Sequence, residues 1–454
     1  MKNKLINPLS RLTKIRPNAT MMLFVAAVLA VVVANSPWSG IYGELLDYPV
    51  LLQIGDYNVF SHHGHTMTLL EFVNDALMAV FFFVVGLEIK QEILVGELSD
   101  FRKAILPVIG AVGGMIAPVL FYLLVCHSGD EIHGAAIPMA TDIAFALAAL
   151  TALGSRVPPS LKAFLTALAV VDDIGGIIVI AVFYSSHISF ILLGIAVALL
   201  LGLYLLGRIG VVHRTVYYLG GVIVWTLFVG SGIHATIAGV LLAFTVPVRS
   251  KVNMHNLRSE MRMLFNMMPE DERLSSKNVM MLSHGQISLI SSLKRKAAMA
   301  IPPVQEMESE LSSVVNYFIL PLFAFVNAGV VLGGVTADQM FGVPLAIVLG
   351  LFAGKTLGIF SSTSLFIKSG LGKMPKGMTY HNLLALSVLG GIGFTVALFL
   401  ASLSFKAVHP DYFNQAKMGI FAGSILSGIV GFLWLRHVLN KEHQQRGKAD
   451  KPVD

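Results

Sequence analysis

A chain of 454 residues that is 55% hydrophobic and only 13% charged, with a mean hydropathy of +0.76, is too apolar for a soluble domain of that length. Its lone cysteine, Cys126, excludes an internal disulfide framework, and no Cys/His cluster has zinc-ligand spacing. The net charge of +6 does not point to nucleic acid, because the basic residues sit in short clusters between apolar runs, the pattern that marks the topology of a membrane protein.

The N-terminus is basic (Lys2, Lys4, Arg11, Lys14, Arg16) and precedes an apolar run near 18–36. By itself this is compatible with a signal peptide, but eleven further apolar segments follow. A helix needs about 20 apolar residues to cross hydrocarbon. Twelve runs qualify, near 18–36, 69–90, 103–127, 134–153, 160–184, 189–207, 214–231, 232–248, 312–333, 340–367, 378–403 and 415–436. Only Gly230-Ser-Gly-Ile-His234 separates the seventh from the eighth.

The positions of Lys and Arg test this count. With the N-terminus inside, every one falls in a cytoplasmic segment or at a cytoplasmic span end except Lys355, Lys406 and Lys417. One missed or invented helix would invert all later loops, so both termini are expected in the cytoplasm. The expectation is one integral-membrane domain with three appendages. An outer segment, 37–68, contains no Lys or Arg and has alternating apolar runs around Gly55-Asp56, the signature of a small β-hairpin. A cytoplasmic insertion, 249–311, is rich in Met, Ser and both charge signs, and reads equally as a partly helical surface element or as disorder. A cytoplasmic tail occupies 437–454.

Four charges fall where hydrocarbon should be. Asp142 is near the centre of the fourth span, Asp172 and Asp173 of the fifth, and Lys355 of the tenth. Each costs about 2.5–3.5 kcal/mol even on an insertion scale. A structural ion pair is one reading, but one lysine cannot neutralise three carboxylates, so a mobile cation or protons must supply the balance. Neighbouring Asp residues on a helix point about 100° apart, so both can border one cavity, and their protonation is coupled. Carboxylates must shed protons to bind a hard monovalent cation. A site that holds Na+ or H+ but not both, opening alternately to each side, is an exchanger.

Two spans look interrupted. The fourth contains Pro138 and Thr141-Asp142; the eleventh contains Gly390-Gly391-Ile-Gly393. Unwound backbone at membrane depth is tolerated where it lines a cavity or is buried, and there its carbonyls can ligate cations. Gly110, Gly113 and Gly114 in the third span read instead as close helix packing. Spans three to five begin inside and spans ten to twelve outside, each trio with its broken helix in the middle, which outlines an inverted repeat. Asp142 and Lys355 are placed to offset the facing half-helix dipoles. The fold class expected is thus an all-α polytopic membrane protein with 12 transmembrane helices, inverted repeats and two interrupted crossing helices.

Taken together, Asp75-Ala-Leu-Met-Ala-Val-Phe-Phe-Phe, Gly86-Leu-Glu88-Ile-Lys90, Ala140-Thr141-Asp142-Ile-Ala-Phe-Ala, Val171-Asp172-Asp173-Ile-Gly, Ser231-Gly-Ile-His234-Ala-Thr, Phe323-Ala-Phe-Val-Asn327-Ala-Gly, Gly354-Lys355 and Gly391-Ile-Gly-Phe-Thr-Val resemble the NhaA family of bacterial Na+/H+ antiporters. The resemblance spans nearly the whole chain except 249–310 and the extreme termini. It implies that Asp173 is the principal cation and proton carboxylate, with Asp172 its partner, and that Asp142 and Thr141 sit at the helix crossing. It further implies that Lys355 pairs with Asp172 in the cation-free state. Glu88, Glu92, Glu308 and His234 match positions assigned to pH response and the cytoplasmic funnel, and Asp75 marks the outer end of its helix. The 50–60 hairpin matches a homodimerisation element. Such antiporters of the bacterial inner membrane export Na+ or Li+ against more than one H+, without a cofactor. One departure is Ser309 and Ser312, which occupy apparent family histidine positions, so no pH profile carries over.

Other classes fit less well. A channel needs symmetric ligand rings; an intramembrane hydrolase needs a nucleophile beside a base, and dyad carboxylates come from two separate elements. A Na+-coupled symporter of an organic solute is the serious rival, since it too uses broken helices, but a co-transported ion need not displace protons.

Overall fold

In hydrocarbon a backbone must satisfy its own hydrogen bonds, and the apolar runs do so as helices. The computed structural model describes residues 19–54, 57–58, 60–62, 65–127, 129–184, 188–250, 254–266, 284–331, 333, 337–406 and 409–449. Seven unbroken helices are long and apolar enough to cross a membrane: Leu69–Leu94 (α1), Phe101–Val125 (α2), Pro159–Phe183 (α3), Phe190–Ile209 (α4), Pro303–Asn327 (α5), Val343–Lys368 (α6) and one that opens at Pro410 (α7). Three bent pairs raise the number to ten. These are Ala19–Ala34 with Ser39–Leu46, turned by 117°; Gly129–Met139 with Ile143–Ala152, bent by 42°; and Tyr380–Leu389 with Phe394–Phe405, bent by 46°. The expected runs 214–231 and 232–248 are the helices Arg214–Ser231 and Ala235–Thr245, and the second, at 11 residues, is much shorter than expected. The only strands among the described residues are two antiparallel pairs, Gln53–Ile54 with Tyr57–Asn58 and Ser61–His62 with His65–Thr66. The expected turn Gly55-Asp56 lies outside the described residues.

Several boundaries differ from the apolar runs. The first half of the fourth run starts at Gly129 as a 3-10 helix. Helix α5 ends at Asn327 rather than 333, and α7 continues to Ala449, into the expected tail. Hydropathy cannot see either end, because helices extend past the hydrocarbon and stop where backbone caps are available. At the end of α5 those caps are visible. Tyr42 donates to Phe325 O (2.6 Å), Lys417 Nζ to Gly329 O (2.9 Å) and Asn35 Nδ2 to Val330 O (2.6 Å).

Large apolar side chains such as Phe24, Ile116, Phe190, Leu201, Val222 and Leu365 are exposed, while charges are buried, the pattern of a surface that faces lipid. Where helices approach most closely, small residues make it possible. A Cβ on Gly358 of α6 would fall on Gly113 O of α2, and one on Gly239 would fall on Ala79 O of α1. The aromatic cluster Phe82, Phe323 and Phe399 packs the interior beside the two broken helices.

Candidate functional site

The site forms where the two bent pairs break. In one, Ala140-Thr141-Asp142 separates Met139 from Ile143; in the other, residues 390–393 separate Leu389 from Phe394. The two breaks are stitched to each other. Asp142 N donates to Ile392 O (2.6 Å) and Thr141 Oγ1 donates to Gly390 O (3.0 Å), which satisfies backbone that no helix can pair. Glycine is required at this contact, since a Cβ on Gly391 would collide with Leu351 O and one on Gly393 would lie 2.8 Å from Leu351 Cδ2. Pro138 closes the 3-10 half and packs where a Cβ on Gly350 would lie, 2.5 Å from Pro138 Cβ.

Asp142 neutralises two helix N-termini at once. Its Oδ1 accepts from Phe145 N (3.2 Å), capping Ile143–Ala152, and its Oδ2 accepts from Thr395 N (3.0 Å) and Thr395 Oγ1 (2.6 Å) at the start of Phe394–Phe405. Both N-termini carry partial positive charge, so one carboxylate stabilises both. Lys355 serves the C-terminal end of the 3-10 half. Its fully buried ammonium donates to Met139 O, the last carbonyl of the 3-10 half, and to Asp172 Oδ2 at 2.6 Å. The other oxygen, Asp172 Oδ1, is buried with no hydrogen-bond partner among the described residues.

Asp173, one residue along α3, points elsewhere. It has no hydrogen-bond or ion-pair partner among the described residues, although it is only 8% exposed. It borders two cavities. One is a funnel of about 300 Å³ that Glu88, Thr141, Asp142, Ser312 and Asn316 also line. The other is a pocket of about 10 Å³, room for one water, enclosed by Asp172 and by apolar groups including Phe82, Ile177, Ile180 and Leu400. Asp173 is therefore a wall common to both cavities.

A family profile described as "Na+/H+ antiporter 1" matches residues 10–435. The chain belongs to the NhaA family of antiporters. It is 58% identical over 98% of its length to a Na(+)/H(+) antiporter NhaA of Porphyromonas gingivalis, covering 99% of that protein. It is 55% identical to one of Parabacteroides distasonis, covering 97% of this chain and 98% of that one. A solved structure of the sodium proton antiporter MjNhaP1 from Methanocaldococcus jannaschii at pH 8 covers 96% of this chain and 95% of its own, at 13% identity and a TM-score of 0.47.

In this member of the NhaA family the remaining expected residues scatter. Glu88 lines the funnel, and its charge is close enough to interact with that of Glu308. Glu308 lies near Gln91 and does not itself line the funnel. Glu92 Oε1 accepts from Glu97 N (2.7 Å) and fastens the end of α1 to the turn after it. His234 stands at the N-cap position of Ala235–Thr245 without a side-chain cap bond, next to the cluster of Met67, Trp225 and Ala235, and is not among the residues that line the funnel. Asp75 sits in a π-helical turn, Val73–Leu77, where its carbonyl accepts from Trp225 Nε1 (3.2 Å). Just beyond Phe405, burial lowers the pKa of Lys406, opposed by the charges of Glu71, Asp75 and Asp47. Of the two serines at histidine positions, Ser309 is exposed, while Ser312 lines the funnel and accepts from Asn316 Nδ2 (3.1 Å).

Three groups were given no role by the sequence reading. Thr395 holds Asp142; Asn316 lines the funnel; and Asn74 and Asn327 form a buried reciprocal amide pair at 3.2 and 2.7 Å. A signal existed for the last, since an amide in an apolar span needs a partner. Nothing in spacing told which amide would meet which.

Proposed function

We propose that this chain is a secondary Na+/H+ antiporter of a bacterial inner membrane, and that Na+ and protons compete for Asp173 and Asp172. The observation that carries the reading is the Asp173 carboxylate on the wall of the funnel, without a hydrogen-bond or ion-pair partner among the described residues, beside a carboxylate that is already paired with the buried Lys355. The names of the relatives support the same ion pair.

In the cycle we infer, the funnel faces the cytoplasm, since the basic connections lie at that end. Na+ descends and trades its hydration shell for the Asp173 carboxylate and neighbouring oxygens, displacing a proton. Asp172 joins as a ligand when it leaves Lys355, and its protonation is tied to that separation. Release of more than one proton per cation makes the exchange electrogenic, so the membrane potential drives Na+ or Li+ outward. Twelve spans with both termini inside, arranged as inverted repeats, are supported by the basic-residue distribution and by the paired breaks at Asp142 and Gly391. Movement of the crossing against the rest of the bundle then opens the apolar seal at Ile177, Ile180 and Leu400 while the funnel closes. Glu88, Glu92 and Glu308, carboxylates at the cytoplasmic end of this path, tune its pH response. The strand pairs near 50–60 offer the edge through which two copies associate.

The test uses everted vesicles holding an acid-inside gradient read by a fluorescent amine. Addition of NaCl or LiCl collapses the gradient with the wild-type chain, and Asp173→Asn and Asp172→Asn abolish the response while the protein remains folded and inserted. A gradient that Na+ leaves untouched from neutral to alkaline pH, together with accumulation of an organic solute, would establish the symporter instead.

A further inference from the structure

Between Ala235–Thr245 and α5 the chain inserts two helices, Met254–Asn266 (α8) and His284–Ala300 (α9), which contribute no residue to the site described above. They pack on each other and are joined by a Lys296–Glu260 ion pair. On α9 the less exposed positions Gln286, Leu289, Leu293, Lys296 and Ala300 recur at helical spacing, so one side is packed. The other side mixes apolar and basic groups: Ile287 and Ile290, 48% and 40% exposed, stand in the same row as Lys294, with Arg295 and Met299 in the next. On α8 Leu257 is buried, while Arg258, Arg262 and Met263 are exposed. Arg258, Arg262, Lys294 and Arg295 make no ion pair among the described residues.

In water this surface exposes large apolar groups together with cations that have no ion-pair partner among the described residues. At a headgroup layer both are matched, because apolar side chains enter the acyl boundary and guanidinium and ammonium groups meet lipid phosphates. The position agrees. The insertion leaves and rejoins the bundle at the ends of two membrane helices, and only Ile301 and Pro302 separate α9 from α5. Ile301 is itself 47% exposed, and farther along the same chain Val314, Tyr317 and Phe318 are exposed on α5.

We propose that α8 and α9 form an interfacial element that binds anionic lipid headgroups of the leaflet from which the insertion emerges. The proposal requires that the bundle span a membrane and does not depend on which ion it carries.

The test is amide hydrogen exchange of the full-length protein in nanodiscs of phosphatidylcholine alone or mixed with phosphatidylglycerol. Peptides from α8 and α9 exchange about tenfold more slowly in the anionic discs, as expected from several surface cations. High salt reverses the effect, the Arg258→Gln/Arg262→Gln/Lys294→Gln/Arg295→Gln variant lacks it, and peptides from α2 and α6 stay unchanged as a control for folding. Equal exchange in both lipids overturns the proposal, as does protection that survives in the variant, which would mean packing on the bundle. Inorganic phosphate giving the same protection in neutral discs would remove the leaflet as the source. Protection that appears in neutral discs only with added soluble extract would overturn it in favour of a protein partner.

Discussion

Lys355→Met isolates the pair at the centre of the site. The substitution keeps the buried aliphatic stem and removes the ammonium that bridges Asp172 Oδ2, at 2.6 Å, and Met139 O. Removing one partner of a buried pair costs about 3–5 kcal/mol, because the other charge is left in an apolar setting. Orphaning a buried carbonyl costs about 1–3 kcal/mol, and a volume-conserving swap adds less than about 1.5 kcal/mol. Water from the neighbouring cavity can reach Asp172, so the expected loss is at the lower end of the sum, about 4–6 kcal/mol in all. Lys355→Met/Asp172→Asn removes the stranded charge and recovers most of it, leaving about 1–3 kcal/mol from the Met139 carbonyl. The measurement is the thermal unfolding midpoint of detergent-purified wild type, both single variants and the double variant, read as a double-mutant cycle. The single lysine variant should fall by several degrees and the double variant should regain at least half. A lysine variant as stable as wild type, or a double variant whose loss is the sum of the singles, would refute the argument that the two groups stabilise the fold through each other.

Three further outcomes follow from the same geometry. Thr395→Val deletes the 2.6 Å hydroxyl bond to Asp142 while the backbone bond remains, and should cost about 1.5–3 kcal/mol as a bond to a charged group, with Thr395→Ser restoring the unfolding midpoint. Gly358→Ala drives a methyl into Gly113 O and should destabilise by about 1–3 kcal/mol, whereas Gly194→Ala, which meets open space, should be neutral in the same assay. Asn327→Leu strands the Asn74 amide and should cost about 1–3 kcal/mol, and Asn74→Leu/Asn327→Leu should recover much of that loss; a double variant whose loss is the sum of the two singles would show that the amide pair is not coupled.

Much of the architecture was legible because the bilayer restricts the options. Apolar runs of membrane length become helices, and each of the twelve has a helical counterpart among the described residues, at the expected place and with ends that differ by several residues. The ends depended on caps. Lys417, Asn35 and Tyr42 reach α5 from distant parts of the chain, and hydropathy carries no trace of them. The breaks at Thr141-Asp142 and Gly390-Gly391 were visible as polar and glycine residues inside apolar runs. Their mutual stitching was not, since the bond from Asp142 N to Ile392 O joins residues far apart in sequence.

The same division holds for the carboxylates. The sequence alone determines that three acids and one lysine are buried at membrane depth, because hydropathy and length place them there whatever their neighbours. It determines too that two adjacent acids on one helix cannot share a single direction. Which acid has the lysine, which caps two helix ends and which is left facing the funnel were decided only when α3, α6 and the two broken helices came together. A charge in low dielectric is governed by the groups within a few ångströms of it, and those groups are brought there by packing rather than by chain order.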